Sequence, residues 1–286
     1  MVDKNRFRSV LEELDLPHPR SFLLTRNVDE WRVPDDILNS AFLKPHDSLS
    51  FFREFGVKGI FVSSRDEAFE KARLAWDKGL EFLVQEYIPG PAQNHFFVDG
   101  FRSSDGKTTQ YLARQRLRMH PPDFGNSTSM KTVALESVSP ALRTLDTLFA
   151  HTKFHGIFSA EFKLDQRSGT LKIIEVNCRP WWFVDYADRC GLRTCEAAYL
   201  DALGQIVPSQ QPYELNKLGT YPIYDWEAFR NGDQRGLGSF SRMIFGWLRS
   251  YQPVFSWSDP MPVIAQLSRL VANAIGRRVR RIFGGR

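Results

Sequence analysis

The sequence predicts an α+β fold of two lobes followed by a C-terminal extension. Apolar residues at helical spacing over 3–15 and 65–78 alternate with short strand-like runs, a pattern typical of mixed helix and sheet packing. Pro89-Gly90-Pro91 interrupts the chain directly after a strand-like segment and therefore predicts a hinge. Beyond it, strand-like segments separated by turn residues predict a sheet-rich second lobe. They cover residues 94–101, 108–118, 156–164 and 171–176.

These patterns divide the chain into a first lobe over 1–88, a second lobe over 89–208 and an extension over 209–286. In the first lobe, the strand-like runs are 21–24, 41–44 and 57–62, with a polar loop at 46–50 between the last two. Ser64 is the expected N-cap of the helix over 65–78, because Glu67 follows three residues later. Further helices are predicted at 139–151 and 194–204, and the extension carries an amphipathic run at 263–283.

Composition and missing motifs exclude several classes of protein. The net charge of +5 is concentrated in the tail, where six arginines and no acid follow from Arg269 onward, so the body is nearly neutral and no nucleic-acid partner is expected. The N-terminus lacks a secretory signal, and the three cysteines lack C-x-x-C spacing, which favours a cytoplasmic protein with reduced thiols. Neither a Walker loop nor an H-E-x-x-H or G-x-S-x-G motif is present.

The segment with the most chemical information is a predicted hairpin with its turn at 167–169. Alternation along the second strand places Glu175, Asn177 and Arg179 on one face, and Glu161 on the first strand can approach Glu175. Neighbouring carboxylates repel one another unless a cation lies between them. Magnesium prefers carboxylate oxygens completed by water and phosphate. A magnesium site is one interpretation, and an amphipathic hairpin with solvated acids is the other.

The order and spacing of several motifs resemble ATP-grasp enzymes over roughly residues 1–205. The matching features are Lys44-Pro45, Lys58, the segment Val84 to Gly90, and Glu161 with Glu175-x-Asn177-x-Arg179. The resemblance implies that ATP is held between two α+β lobes, with one or two magnesium ions for which manganese is an alternative.

The same resemblance implies roles for individual residues. The phosphates would contact Lys44 and Lys58, and the polar loop at 46–50 resembles a phosphate-covering loop in which Ser48 donates, although it lacks glycine. Adenine would meet the linker, with the Glu86 side chain accepting from the exocyclic amine. Arg179 would complement the γ-phosphate. The complete linker set is Gln85, Glu86, Tyr87 and Ile88, and the metal ligands are Glu161, Glu175 and Asn177.

Three arginines alternate on a predicted strand and are expected to share one face, suited to an anionic substrate or an acyl phosphate. They are Arg114, Arg116 and Arg118. With the following P-x-x-F-G-x-S-T stretch, they resemble some carboxylate-amine ligases of the superfamily. On this basis, Arg116 joins Lys58 and Arg179 as a catalytic candidate, and Arg118 is assigned to the nucleotide. An exposed basic sheet face is the alternative.

The resulting hypothesis is an ATP- and magnesium-dependent ligase that activates a carboxylate as an acyl phosphate for attack by an amine or another nucleophile. Its partners would be small carboxylate and amine substrates. The preceding α/β domain usual in the family is not found here, so a fragment, a partner subunit or a reduced architecture is expected. Two alternatives stay open: a catalytically reduced nucleotide-binding or regulatory subunit, and a membrane-surface or protein-binding role of residues 263–286.

Overall fold

A computed structural model describes residues 4–107, 109–231, 237–256, 258–266, 268, 269 and 272, without the side chains of Ser48 and Leu237. The helices are α1 (Lys4–Glu13), α2 (Asp35–Leu38), α3 (Ser48–Phe55), α4 (Arg65–Trp76), α5 (Ser139–Thr152), α6 (Val184–Arg189), α7 (Thr194–Ala202), α8 (Pro222–Asn231) and α9 (Leu237–Arg249). The strands are β1 (Ser21–Leu23), β2 (Ala41–Pro45), β3 (Ile60–Val62), β4 (Phe82–Glu86), β5 (His95–Arg102), β6 (Thr109–His120), β7 (Asn126–Val133), β8 (Gly156–Asp165), β9 (Thr170–Asn177) and β10 (Leu218–Thr220). Short 3-10 turns lie at Val28–Glu30, Ala92–Asn94 and Leu135–Val138.

Within the described residues, the strands form two antiparallel sheets. The first has the order β1-β4-β2-β3, and the second has the order β10-β7-β6-β5-β8-β9. Residues 87–94 connect them, where the hinge is predicted. Strand β7 has no counterpart among the predicted strands. It is nearly buried on both faces, but its buried residues include the polar Ser127, Thr128, Ser129 and Thr132, so polarity along the sequence does not indicate a strand.

Alternation along β2 and β4 gives the first sheet one core face and one cleft face. Ala41, Leu43 and Val84 are buried in a cluster with residues of α2 and α4. The intervening residues Lys44 and Gln85 therefore point to the opposite face, because successive side chains of a strand alternate. Ser64 caps α4 as predicted, since its hydroxyl accepts from the Glu67 amide.

The predicted polar loop at 46–50 is wrong from Ser48 onward, because α3 begins at that residue. Asp47 is the N-cap, and its carboxylate accepts from the amides of Leu49 and Ser50. Fully buried Phe51 anchors the helix in the core of the first lobe. In the sequence, Asp47 is the residue that indicates a helix N-terminus, and the polar composition of the segment alone does not reveal it.

The second sheet is covered on one face by α5 and α1. Leu145, Leu148 and Phe149 of α5 pack with Phe162 and other apolar residues of the sheet. Helix α1 comes from the other end of the chain, yet its buried residue Leu11 belongs to the same cluster. On the opposite face, Leu112 and Met130 pack with Tyr186 of α6, whereas neighbouring polar residues such as Arg114 and Glu161 line the cleft toward the first lobe.

The extension is attached to the second lobe through Asp225 of α8, which is fully buried. Arg118 of β6 donates to both of its oxygens at 2.7 and 2.6 Å. The Thr128 hydroxyl donates at 2.8 Å, and the Trp247 indole of α9 donates at 2.7 Å. One carboxylate thus joins α8, α9, β6 and β7.

None of the helices in the described ranges combines the length and apolarity that crossing a bilayer requires. Most of the predicted amphipathic run at 263–283, including Arg277 to Arg281, lies outside the described residues. A membrane or partner contact through 263–286 stays a prediction, and so does the division of the chain at residues 88 and 208.

We expect Asp225→Ala to lower the free energy of unfolding by about 3 kcal/mol, because it leaves the half-buried Arg118 guanidinium without its buried counter-ion. Urea denaturation followed by circular dichroism measures this. Glu227→Ala is the matched control, since it removes an acid of the same helix whose ion pair with Arg230 is exposed. Equal effects of the two substitutions would contradict the assigned role of Asp225.

Candidate functional site

A cleft of about 530 Å³ lies between the two sheets and gathers most of the predicted site residues. The first lobe contributes Lys44, Lys58 and Gln85, and the second contributes Glu161 and Glu175 among others. Seven lysine and arginine side chains and four carboxylates are among the described lining residues. This excess of positive charge favours an anionic ligand. The predicted residues in the lining are Lys44, Lys58, Gln85, Glu86, Tyr87, Ile88, Arg116, Glu161, Glu175, Asn177 and Arg179.

A β-bulge in the β8–β9 hairpin brings the two predicted metal-binding acids together. From the turn, Asp165 pairs with Thr170 and Phe162 pairs with Ile173, a register that would place Glu161 opposite Ile174. The register shifts by one residue at this point, and Glu161 instead pairs with Glu175. Because a shift of one residue exchanges the two faces of a strand, the bulge turns Glu175 to the cleft face. The predicted approach of Glu161 to Glu175 is confirmed.

Glu161 is held as a carboxylate by two neighbours on the second sheet. Its Oε1 atom lies 2.7 Å from His95 Nδ1 and 3.1 Å from Arg116 Nη2. Burial acts to raise the pKa of Glu161, but the Arg116 charge and the His95 hydrogen bond outweigh it and lower the pKa to about 2. His95 must donate through Nδ1, since an ionised carboxylate only accepts.

Glu175 and Asn177 stand on the same strand with oxygen atoms available for a ligand. Neither side chain has a hydrogen bond or ion pair within the described part of the chain. Glu175 is exposed and Asn177 is half-buried, so both are accessible from the cleft. These oxygens add to the carboxylate of Glu161, whose Oε1 atom is already engaged by His95 and Arg116.

Lys44 reaches these acids from the first lobe. Its ammonium donates to Gln85 Oε1 at 3.1 Å and to the carbonyl of Ile174, the extra residue of the bulge, at 3.4 Å. Burial lowers the pKa of Lys44, and the charges of Glu175 and Glu161 partly offset this. The bulge therefore serves both lobes, since it orients Glu175 and leaves a carbonyl free to accept from Lys44.

Lys58 and Arg179 are two further basic residues that line the cleft. The Lys58 ammonium donates to Asn126 Oδ1 of the second lobe at 3.1 Å, and burial lowers the pKa of Lys58. Arg179 is exposed and donates to the carbonyl of Pro180, which leaves most of its guanidinium donors available. Both side chains can therefore meet an anion that enters the cleft.

Two carboxylates and one amide oxygen fit magnesium whose remaining ligands are water and phosphate. No group of three or more His, Cys, Asp or Glu side chains within the described ranges could hold a metal by itself.

The residues of the linker differ in how far they are engaged within the chain. Glu86 has the parity of the core-facing residues of β4, and its carboxylate accepts from Arg167 at 2.6 Å and Lys172 at 3.4 Å. Its side chain is therefore already engaged by two basic residues, and its role as an acceptor from adenine stays a prediction. The Tyr87 amide donates to Ser40, whereas no partner of the buried Ile88 amide is found among the described residues.

The three arginines of β6 do not share one surface. Arg114 is buried with Asp99 at 2.6 Å, and Arg116 binds Glu161, so both line the cleft. The pairing of β6 with β7 is irregular between Arg116 and Arg118, and Arg118 turns away to Asp225. The expectation of one arginine face fails at Arg118 for this reason.

The predicted donor Ser48 has a side chain outside the described residues.

His95 and Asp99 are site residues that the sequence motifs do not indicate. Both lie on β5, where they alternate with core residues. His95 is paired with Lys163 of β8, and Asp99 is paired with Ser159. Their polarity within an apolar strand is a signal, but its meaning depends on knowing that β5 lies between β6 and β8.

Comparisons with known proteins identify the architecture. No family model matches the sequence. N5-carboxyaminoimidazole synthase from Aspergillus clavatus, solved with ADP and 5-aminoimidazole ribonucleotide, has a TM-score of 0.57 at 14% identity over 76% of this chain and 54% of its own. The biotin carboxylase domain of the Hydrogenobacter thermophilus 2-oxoglutarate carboxylase, solved with MgADP and bicarbonate, has a TM-score of 0.60 at 17% identity over 76% of this chain and 49% of its own.

The chain has the ATP-grasp fold. An L-amino acid ligase from Bacillus licheniformis is similar, with a TM-score of 0.53 at 18% identity over 71% of this chain and 48% of its own. In sequence, the D-aspartate ligase of Enterococcus faecium (strain Aus0004) is 22% identical over 191 residues, which are 63% of this chain and 44% of that ligase. The chain spans about half the length of these relatives.

Glu161→Gln is expected to lower the free energy of unfolding by about 3 kcal/mol at neutral pH, from the depression of its pKa. The ionised form is the one stabilised in the folded state. Its contribution is therefore complete above the ordinary pKa of 4.5 and is lost as the pH falls toward about 2. Urea unfolding at a series of pH values should show wild type and variant converging below pH 4.5.

The matched control is Glu196→Gln, which removes an exposed acid paired with Arg193 on the surface. Its effect should be under about 1 kcal/mol at every pH, as is usual for surface pairs. A gap between wild type and Glu161→Gln that does not change with pH would refute the stabilisation of the carboxylate by Arg116 and His95.

Proposed function

We propose that this chain is an ATP- and magnesium-dependent ligase that activates a carboxylate as an acyl phosphate and passes it to an amine. The observation that carries the proposal is the pairing of Glu161 with Glu175 at the floor of a cleft lined by Lys44 and Lys58. Two acids inside a cationic cleft suit a ligand that brings both a divalent cation and several phosphate charges.

The nucleotide is supported by the fold and by the groups left available in the cleft. Similar structures contain ADP in this architecture. Lys44 and Lys58 supply charge for the phosphates, and the unpartnered amide of buried Ile88 supplies a donor for the base. Gln85 holds Lys44 through its side-chain oxygen, so its role is to position the lysine.

Magnesium would be held by Glu161, Glu175 and Asn177. When bound, it would neutralise phosphate charge and polarise the transferring phosphoryl group. Arg116 and His95 keep Glu161 ionised, so this ligand is ready at physiological pH without a proton being removed. Asn177 adds a neutral oxygen, which limits the negative charge gathered around the phosphates.

The phosphoryl step consists of attack by a substrate carboxylate oxygen on the γ-phosphorus, with cleavage of the bond to the β,γ-bridging oxygen and departure of ADP. Negative charge on the transferring group is met by Lys58 and by the largely free guanidinium of Arg179. Arg116 lies beside Glu161 at the substrate side of the cleft and assists in holding the carboxylate. Positioning and charge neutralisation account for the catalysis.

The amide-forming step follows when an amine nitrogen attacks the acyl carbon. Inorganic phosphate leaves, and the nitrogen loses a proton. An amine acceptor is supported by the names of two relatives, a D-aspartate ligase and an L-amino acid ligase. Both relatives extend well beyond the part that matches this chain.

The test is ADP release from MgATP in the presence of a panel of amino acids and small carboxylates, with nucleotide affinity measured by calorimetry. Wild type should bind MgATP and release ADP when both a carboxylate and an amine are added. Glu175→Gln should lower the rate of ADP release at least about 100-fold, because it removes charge that acts on the transferring group. Lys58→Met should do the same.

Glu196→Gln, with its exposed acid on α7, serves as the control and should retain the wild-type rate. MgATP binding without ADP release from any substrate pair would instead favour a catalytically reduced nucleotide-binding subunit. Absence of MgATP binding would overturn the proposal.

A further inference from the structure

A second cavity of about 450 Å³ opens beside the cleft. One wall belongs to the first lobe, from the end of α3 to β3, and the other consists of the segment 120–128 with Trp182 and Tyr224. Unlike the cleft, it is lined mainly by apolar and aromatic side chains. They include Phe52, Val57, Phe61, Phe124, Trp182 and Tyr224.

Several of these side chains are unusually exposed for their type. The exposed fractions of five of them lie between 41% and 49%, namely those of Phe52, Val57, Phe61, Trp182 and Tyr224. They come from both lobes and from α8, and all converge on one concave surface. Scattered apolar residues on a surface are ordinary, whereas a concave cluster of this kind is typical of a ligand site.

The cavity and the cleft are continuous. Five described residues line both of them, namely Lys58, Phe124, Asn126, Ser127 and Trp182. The hydrogen bond between Lys58 and Asn126 lies at their junction. A ligand in the cavity can therefore place one end beside Lys58, where a carboxylate is complemented by the lysine and by Arg116 across the cleft.

We infer that the cavity binds the apolar part of the activated substrate, which is a small carboxylic acid with a bulky aliphatic or aromatic group. This inference rests on the proposed function, since it places the carboxylate of that substrate in the cleft. The charge of the cleft selects the carboxylate end, and the cavity selects the apolar end. Its volume lies within the range of about 300–1,000 Å³ usual for small-molecule sites.

Direct binding tests the inference without turnover. The probe is 4-fluorophenylalanine, observed by fluorine NMR with and without MgADP. Wild type should bind it, and Phe52→Asp should weaken binding about 10- to 100-fold, because the substitution places a charge in the cavity. Leu74→Asp is the control, since Leu74 is equally exposed on α4 of the same lobe and does not line the cavity.

No binding to wild type in either condition, or equal binding to all three proteins, would overturn the inference. Thermal melts of both variants should match wild type, because the replaced side chains are exposed.

Turnover separates this inference from the proposed function. Wild type should release ADP with a kcat/KM about 10- to 100-fold higher for phenylalanine or leucine as the carboxylate than for glycine or aspartate. The preference should be lost in Phe52→Asp and kept in Leu74→Asp, with MgATP affinity unchanged in both. A preference for aspartate or glycine would overturn the cavity assignment and leave the ligase proposal intact. Binding of 4-fluorophenylalanine without any ADP release would count against the ligase proposal alone.

Discussion

Two carboxylates that face one another across adjacent strands set the constraint on which this site depends. Glu161 and Glu175 are paired at the floor of the cleft, and like charges at such proximity destabilise a partly buried site unless positive charge compensates them. Arg116 and His95 compensate Glu161 from within the second lobe. Glu175 makes no hydrogen bond or ion pair among the described residues, and its charge is met at longer range by Lys44, Lys58 and Lys4. Its carboxylate oxygens are therefore left accessible to a ligand.

The basic groups in and around the cleft divide into those engaged in structural ion pairs and those left for a ligand. Arg114 is buried against Asp99, and Arg118 is bound to Asp225. Neither arginine can move to contact a ligand without leaving a buried carboxylate unpaired. Lys44, Lys58 and Arg179 make contacts mainly to neutral oxygens. A phosphate can displace such contacts at lower cost. Burial lowers the pKa of both lysines, because neighbouring acids compensate their charges only in part. A bound anion would supply the missing compensation.

Contacts between the lobes join nucleotide and substrate regions into one surface. The segment 120–126 of the second lobe reaches the first through Phe124, whose ring lies 4.8 Å from Phe42 and 5.1 Å from Phe61. Asp123 accepts from the Tyr87 hydroxyl at 2.7 Å, close to the linker. The same segment walls the cleft on one side and the apolar cavity on the other. A change in the angle between the lobes would therefore alter both regions together.

The sequence by itself determined the α+β architecture, the break between the two sheets after β4 and most of the residues that line the cleft, because strand alternation, proline and glycine breaks and helix caps are local properties. It did not determine which acids meet. A regular hairpin counted from the turn would have placed Glu175 on the opposite face, and only the bulge at Ile174 brings it to Glu161. Likewise, Arg118 and Glu86 carry the expected charges, but buried Asp225 and the pair Arg167 and Lys172 engage them from distant positions. Register and long-range ion pairs are decided by packing between segments far apart in the chain, and for that reason the tertiary structure alone settled them.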